Sequence, residues 1–344
     1  MKADSLKQSQ IMTILSIASM GVDIMIVQNT MVEYAGRDAW ISLLLGGILG
    51  VAFGLKMYLL ANLYPDKCLP YIIIELYGKL IGRILLIPAT LHVLLYTGLS
   101  INIFGQTLKT FLFDNTPLYA IVAVMIGVVI YAVYKGIYAL SGVIDIIFPV
   151  ALTTLITLIL LSLQQVEFDN IKPILYKNHV KVLKGSILGL VQFQGFGLIS
   201  YFHCFTNGTK IRLKWYFWGT GIPVALYGAL TLVTIAVFNP DSLLSLIFPT
   251  LTLSKSIEFP ITFLERLESI IAILWISIAF GSIALSTFTS VENISALLGS
   301  KNDKPIVLIH IPLLMIVSLS IKNGIKVIEY YQMLKYALAG LILI

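Results

Sequence analysis

Charge is what this chain of 344 residues has least of. Asp, Glu, Lys and Arg make up 12% of it, about half the roughly 25% usual in soluble domains. With 58% hydrophobic residues and a mean hydropathy of +0.94, a water-soluble globule is excluded. Cysteine is nearly absent as well: Cys68 and Cys204 stand alone, without metal-type spacing, and are expected to be free thiols rather than an oxidised framework. The net charge is +6, yet no four basic residues are consecutive, so there is no nucleic-acid face; the excess suits loops at anionic lipid. Dinucleotide, phosphate-loop, zinc and nucleophile-elbow patterns are missing, and His92, His179, His203 and His310 are isolated. No enzyme, cofactor or metal set is therefore expected.

What the chain does have is apolar length. A spanning helix uses about 20 apolar residues, and hydropathy predicts ten helices, near 10–33, 39–62, 84–106, 117–137, 141–163, 184–205, 215–238, 268–290, 305–320 and 327–344. The fold class expected is an all-α polytopic membrane protein forming a single integral membrane domain over 1–344. Lys2, Asp4 and Lys7 precede the first apolar stretch without a small-residue cleavage site, which predicts a retained helix rather than a removed leader. The last stretch runs apolar to Ile344, so a polar tail is not seen after it. Residues 65–85 carry Glu75, Lys79 and Arg83 at helical spacing and predict an amphipathic interfacial helix, as does 259–269. Basic residues divide almost evenly between the two sides, so charge does not assign orientation.

Two of the ten segments are interrupted. The first contains Met20-Gly21-Val22-Asp23-Ile24 and the sixth Gln194-Gly195-Phe196-Gly197-Leu198. Gly21 and Gly195 lie 174 residues apart, close to half the chain. Five helices per half is an odd number, which predicts a 5+5 inverted repeat, about 10–163 and 184–344, with helices 1 and 6 broken. Unwinding frees backbone groups where lipid cannot satisfy them, and a small zwitterion fits that need: N–H groups for a carboxylate, carbonyls for an ammonium. The other reading is that these glycines only allow close packing. Asp23, near mid-membrane, needs a cavity or a partner; it binds an amine, carries a proton, or packs hydrogen-bonded. Tyr96 shares a face with His92 and either closes over a ligand or bonds a neighbouring helix. Asp145 reads as interfacial, Lys56 as snorkelling to headgroups, and His203 and His310 as structural.

Three segments carry a family resemblance: Gly36-Arg37-Asp38-Ala39-Trp40-Ile41-Ser42, Asn170-Ile171-Lys172-Pro173, and Phe263-Leu264-Glu265-Arg266-Leu267-Glu268-Ser269-Ile270. Arg37 and Asp38 are expected to tie the turn after helix 1, and Glu265, Arg266 and Glu268 to form a surface ion cluster. With these segments the chain resembles the spore germinant-receptor B subunits (GerAB type), a permease branch of the amino acid-polyamine-organocation superfamily. The resemblance implies a leucine-transporter-like fold, a cytoplasmic N-terminus, the spore inner membrane as location, and A and C subunits as partners. It implies a small germinant, commonly an amino acid, between Met20–Ile24 and Gln194–Leu198, with Tyr96 as the helix-3 aromatic. Members often have glycine at Asp23 and proline at Gln28, so the ligand here is expected to differ, as a cation or a co-sensed ion. A nutrient sensor, a proton- or cation-coupled amino acid transporter and a scaffold with a vestigial pocket remain the competing functions.

Overall fold

The computed structural model describes residues 5–176, 179–257, 267–300 and 302–343. Among these the chain is helical and contains no strand, as expected where lipid leaves backbone groups only internal partners. In chain order the helices are α1 (Gln8–Met20), α2 (Val27–Ala35), α3 (Ala39–Leu63), α4 (Leu69–Phe111), α5 (Leu118–Tyr134), α6 (Ile137–Ser162) and α7 (His179–Leu190). They continue as α8 (Ile199–Phe202), α9 (Leu213–Phe238), α10 (Pro240–Leu244), α11 (Pro249–Ser256), α12 (Leu267–Leu298), α13 (Lys304–Leu319) and α14 (Gly324–Leu343).

Among the described residues six helical stretches are long and apolar enough to cross a membrane, or seven if α13 and α14, bent by 116° at their junction, form one span. α5 is apolar but only 17 residues long, short of the roughly 20 that a crossing uses. Large apolar side chains such as Ile48, Leu80, Ile146 and Ile316 stand exposed on the outer faces, the reverse of a soluble protein and the pattern of a lipid-facing surface. The chain is a multi-pass integral membrane protein.

α1 lies at the centre, packed by α9, α12, α6 and the segment Val191–Leu198. The closest approach is between α3 and α7. A Cβ on Gly46 would lie 2.6 Å from the Gly189 carbonyl carbon, and Ser42 Oγ donates to Val182 O at 3.1 Å. Small residues bring these two backbones together, as is common in membranes. That contact fixes the second interrupted helix against α3.

Several expectations are revised. Cys68 and Cys204 are not free thiols; they form a disulfide across 136 residues of sequence. The two ends meet because the loop before α4 and the end of the second interrupted helix converge at one end of the bundle. Spacing along the chain does not record such a meeting. The 65–85 region is not one interfacial helix: at Gly78, φ is +77°, and the piece before it turns back until Ile74 Cα would meet a Cβ on Gly82 at 2.6 Å. Arg37 and Asp38 tie a distant loop. Arg37 donates to Lys172 O, and the Leu175 N–H donates to Asp38 at 3.0 Å, so two of the three resemblance segments touch. Asp145, read as interfacial, accepts from Thr13 Oγ1 at 2.7 Å and links α6 to α1. The expected helix at 259–269 and the cluster of Glu265, Arg266 and Glu268 lie outside the described residues and side chains.

Overpacking a close contact costs about 1–3 kcal/mol. Gly46→Leu, which would drive a side chain into the α7 backbone, is therefore expected to lower the melting temperature of the purified protein strongly. Gly142→Ala, where a Cβ meets nothing within 4 Å, is expected to leave it unchanged. Equal effects in a thermal unfolding assay would refute the α3–α7 contact.

Candidate functional site

The first interruption begins where α1 ends at Gly21, whose φ of +36° is unfavourable for any L side chain. A Cβ there would also lie 2.8 Å from Ser282 Oγ. A short 3-10 turn, Asp23–Met25, joins α1 to α2. The carbonyls freed by the break are taken up by side chains. Tyr227 hydroxyl faces Ser19 O at 3.2 Å and Met20 O at 2.5 Å, while Thr250 Oγ1 donates to Ile24 O. The unwound backbone is therefore satisfied from α9 and α11, as burial in an apolar medium requires.

Asp23 is the charge at the centre, with 2% of its surface exposed. Lys335 Nζ, fully buried on α14, lies 2.6 Å from its Oδ1. Its Oδ2 accepts from Tyr331 at 3.1 Å and from Tyr96 at 3.3 Å. Lys335 also donates to Gln192 Oε1 and lies over the Tyr331 ring. The rings of Tyr96 and Tyr331 stack at 5.1 Å. Both ions thus have several partners, the condition under which a buried pair can offset its desolvation. Four separate pieces of chain meet here: both interruptions, α4 and α14.

The second interruption, Val191–Leu198, is eight residues of 3-10 helix with a non-helical Phe193. Runs of that length are uncommon and mark strained or functional places. Gly195 faces the first break so closely that a Cβ would lie 2.6 Å from Ser19 Oγ and 2.7 Å from Ser19 N. Gly197 is different, since a Cβ there meets nothing within 4 Å. Gly195 is required by packing, whereas Gly197 leaves space.

That space belongs to a cavity of about 230 Å³ between α3, α4, α12 and the second interruption. Its walls are mostly apolar, with Phe53, Met57, Val93 and Phe196 among them, and its polar groups include His92, Tyr96, Gln194 and Thr289. His92 Nε2 lies 3.3 Å from Gln194 Oε1. Gln194 Nε2 is buried and makes no hydrogen bond of good geometry, although its side chain interacts with the Tyr96 hydroxyl, so the wall presents a donor that is not fully used. An orphaned buried donor costs roughly 1–3 kcal/mol; an acceptor on a bound molecule would remove that penalty.

Of the residues singled out from sequence, Tyr96, Gln194, Gly195, Phe196, Gly197 and Leu198 line this cavity. Met20, Gly21, Val22, Asp23 and Ile24 are buried in the first break and do not; Ala18 is the cavity's contact from α1. Asp23 reaches the cavity through Tyr96, which is bonded to it and lines the wall. Sequence reading missed Lys335, Tyr331 and Gln192. The signal was a lysine inside the last apolar run, four residues after a tyrosine, since an intramembrane charge implies a partner. His203 and His310 are held by backbone and hydroxyl groups, Tyr64 O at 2.8 Å and Ser290 Oγ at 3.0 Å respectively. Among the described residues no group of three or more His, Cys, Asp and Glu is placed to hold a metal.

Two interrupted helices thus meet at a buried ion pair beside a small cavity inside a multi-pass membrane protein. Comparison with known families makes this specific: residues 5–326 match the family described as spore germination protein, and the chain belongs to it. That is a receptor- or transporter-like family and not one of enzymes. Among its relatives, spore germination protein KB of Bacillus subtilis is 25% identical, covering 96% of this chain and 90% of the relative. Spore germination protein GerQB of Bacillus cereus is 23% identical over 90% and 84%. Spore germination protein YndE of Bacillus subtilis is 25% identical over 77% and 73%.

Removing one member of a buried ion pair costs about 3–5 kcal/mol, because the other is left uncompensated. Asp23→Asn and Lys335→Met are each expected to lower the melting temperature sharply, and the double variant to recover much of the loss. Additive losses in this cycle would show that the two side chains act independently.

Proposed function

We propose that this chain is the nutrient-sensing subunit of a spore germinant receptor, with a small germinant, an amino acid, bound in the cavity beside the two broken helices. The observation that carries the reading is the buried Gln194 amide, whose Nε2 makes no hydrogen bond of good geometry in a small and mostly apolar cavity. A carboxylate would accept from Gln194 while an apolar side chain packs against Phe53, Met57 and Phe196. The volume is below the roughly 300–1,000 Å³ of drug-sized pockets, which suits a ligand of few heavy atoms. Gln194 and Gly195–Leu198 would contact the ligand with Tyr96. Met20–Ile24 would act from behind, Asp23 through the Tyr96 hydroxyl.

The route to a signal follows from the same segment. Gln194 is two residues from Gln192, which holds Lys335 against Asp23. A ligand that draws Gln194 toward itself favours one arrangement of this segment, and its differential affinity for that arrangement is the free energy available to partners. Those partners would be the receptor's A and C subunits. The architecture that fits is ten crossings in a 5+5 inverted repeat, repeats at about 10–163 and 184–344, in one domain of the spore inner membrane. A coupled transporter, the alternative, would need Asp23 to exchange protons or cations. Its carboxylate is already matched by Lys335 and two tyrosines, and this favours sensing.

A hydrogen bond to a charged group is worth about 1.5–3 kcal/mol, or roughly 10- to 150-fold in affinity. In a panel of amino acids, a specific member is expected to raise the melting temperature of the purified protein. Gln194→Leu is expected to shift the required concentration upward by that factor, with the unliganded melting temperature little changed. A panel with no response, or an unaltered dose response in Gln194→Leu, would refute the site.

A further inference from the structure

The α4 residues that wall the cavity, Leu69, Ala89, His92, Val93 and Tyr96, lie on the part of the helix least covered by protein. Between 97 and 108 nearly every residue of α4 is buried, whereas between 69 and 95 only Pro70, Ile72, Gly82, Leu86 and Thr90 are. α3, the opposite wall, makes no extended packing contact with α4 among the described residues. A covalent tie joins the start of α4 to the second interrupted helix: the disulfide between Cys68, directly before α4, and Cys204, in the 3-10 turn that ends that helix. Each cysteine is close in sequence to a cavity wall: Leu69 follows Cys68, and Tyr201 lies three residues before Cys204. Cys68 is buried and Cys204 half-buried, so Cys204 is the sulfur within reach of a reagent at that end of the bundle.

We propose that the Cys68–Cys204 disulfide is a redox-controlled latch on the cavity, opened by a dithiol reductant. A thiolate of the dithiol attacks Cys204 Sγ and the S–S bond breaks toward Cys68. The second thiol of the reagent then displaces Cys204. Two electrons and two protons pass to the protein, giving two cysteine thiols, and the reductant leaves as its own disulfide. Reduction loosens the start of α4 against the second interrupted helix, leaving the His203 bond to Tyr64 O as a remaining tie there, and widens access to the space beside Gly197. The surrounding fold stays in place because other bonds hold the same end: His203 to Tyr64 O, Tyr58 to Ile211 O, and Ile211 N–H to Asn62. The physiological meaning of the latch rests on the cavity being the germinant site; the latch itself does not.

The test uses the full chain in lipid nanodiscs with Gly197→Cys, a position where a side chain meets no neighbour within 4 Å. N-ethylmaleimide labelling is followed by peptide mass spectrometry, before and after treatment with dithiothreitol that is removed before labelling. As isolated, Cys68 and Cys204 are expected to be unlabelled and bonded to each other. After reduction both label, and the introduced thiol reacts on the order of tenfold faster, the size usual for two coupled sites. Adding Cys68→Ser is expected to give the fast rate with or without reductant. Free Cys68 and Cys204 in the isolated protein, or a labelling rate at position 197 that ignores reduction, would overturn the latch. If labelling behaves as expected while no amino acid stabilises the protein, the latch stands and the germinant reading fails.

Discussion

One ion pair organises the middle of this protein. Asp23 and Lys335 are both almost completely buried, and each would be costly alone in an apolar medium. Together, with Tyr96, Tyr331 and Gln192 filling their remaining hydrogen-bonding positions, they form a small polar centre around which the helices are arranged. Gly21 ends α1 where the chain must turn to bring Asp23 inward. Gly195 lets the second interruption approach until its backbone touches Ser19. α14 brings the cation from the far end of the sequence.

This arrangement separates two roles that glycine plays in the same segment. Gly195 is small because the first break is against it, and Gly197 is small because a cavity is. The cavity lies on one side of Tyr96 and the ion pair on the other, so one hydroxyl and one ring join them. A mostly apolar chamber is thus separated by a single side chain from a buried polar centre. The second interruption belongs to both, since it lines the chamber and holds Lys335 through Gln192.

How much of this could be read from sequence depends on range. Helices were legible because twenty-residue apolar runs have few alternatives in a bilayer, and the two interruptions were legible because glycine and an acid interrupt them locally. The partner of Asp23 lies 312 residues away, and nothing near Asp23 announces it; Lys335 was detectable only as a charge with no stated reason to be in an apolar run. The disulfide failed for the same reason. Two cysteines separated by 136 residues carry no spacing signal, and their pairing follows from where the loop before α4 meets the end of the second interrupted helix. Met20 to Ile24 do not line the cavity, and Tyr227 and Thr250 donate to the carbonyls of Met20 and Ile24, a meeting of distant segments that no local pattern records.

The central claim is that Asp23 and Lys335 form an ion pair buried within the helix bundle. Infrared difference spectroscopy of the protein in nanodiscs, comparing it with Asp23→Asn, reads this directly. The account predicts that the substitution removes a carboxylate band of an ionised acid, and that Lys335→Met converts that band into one of a protonated carboxyl. A protonated carboxyl band for Asp23 in the unsubstituted protein would contradict the account.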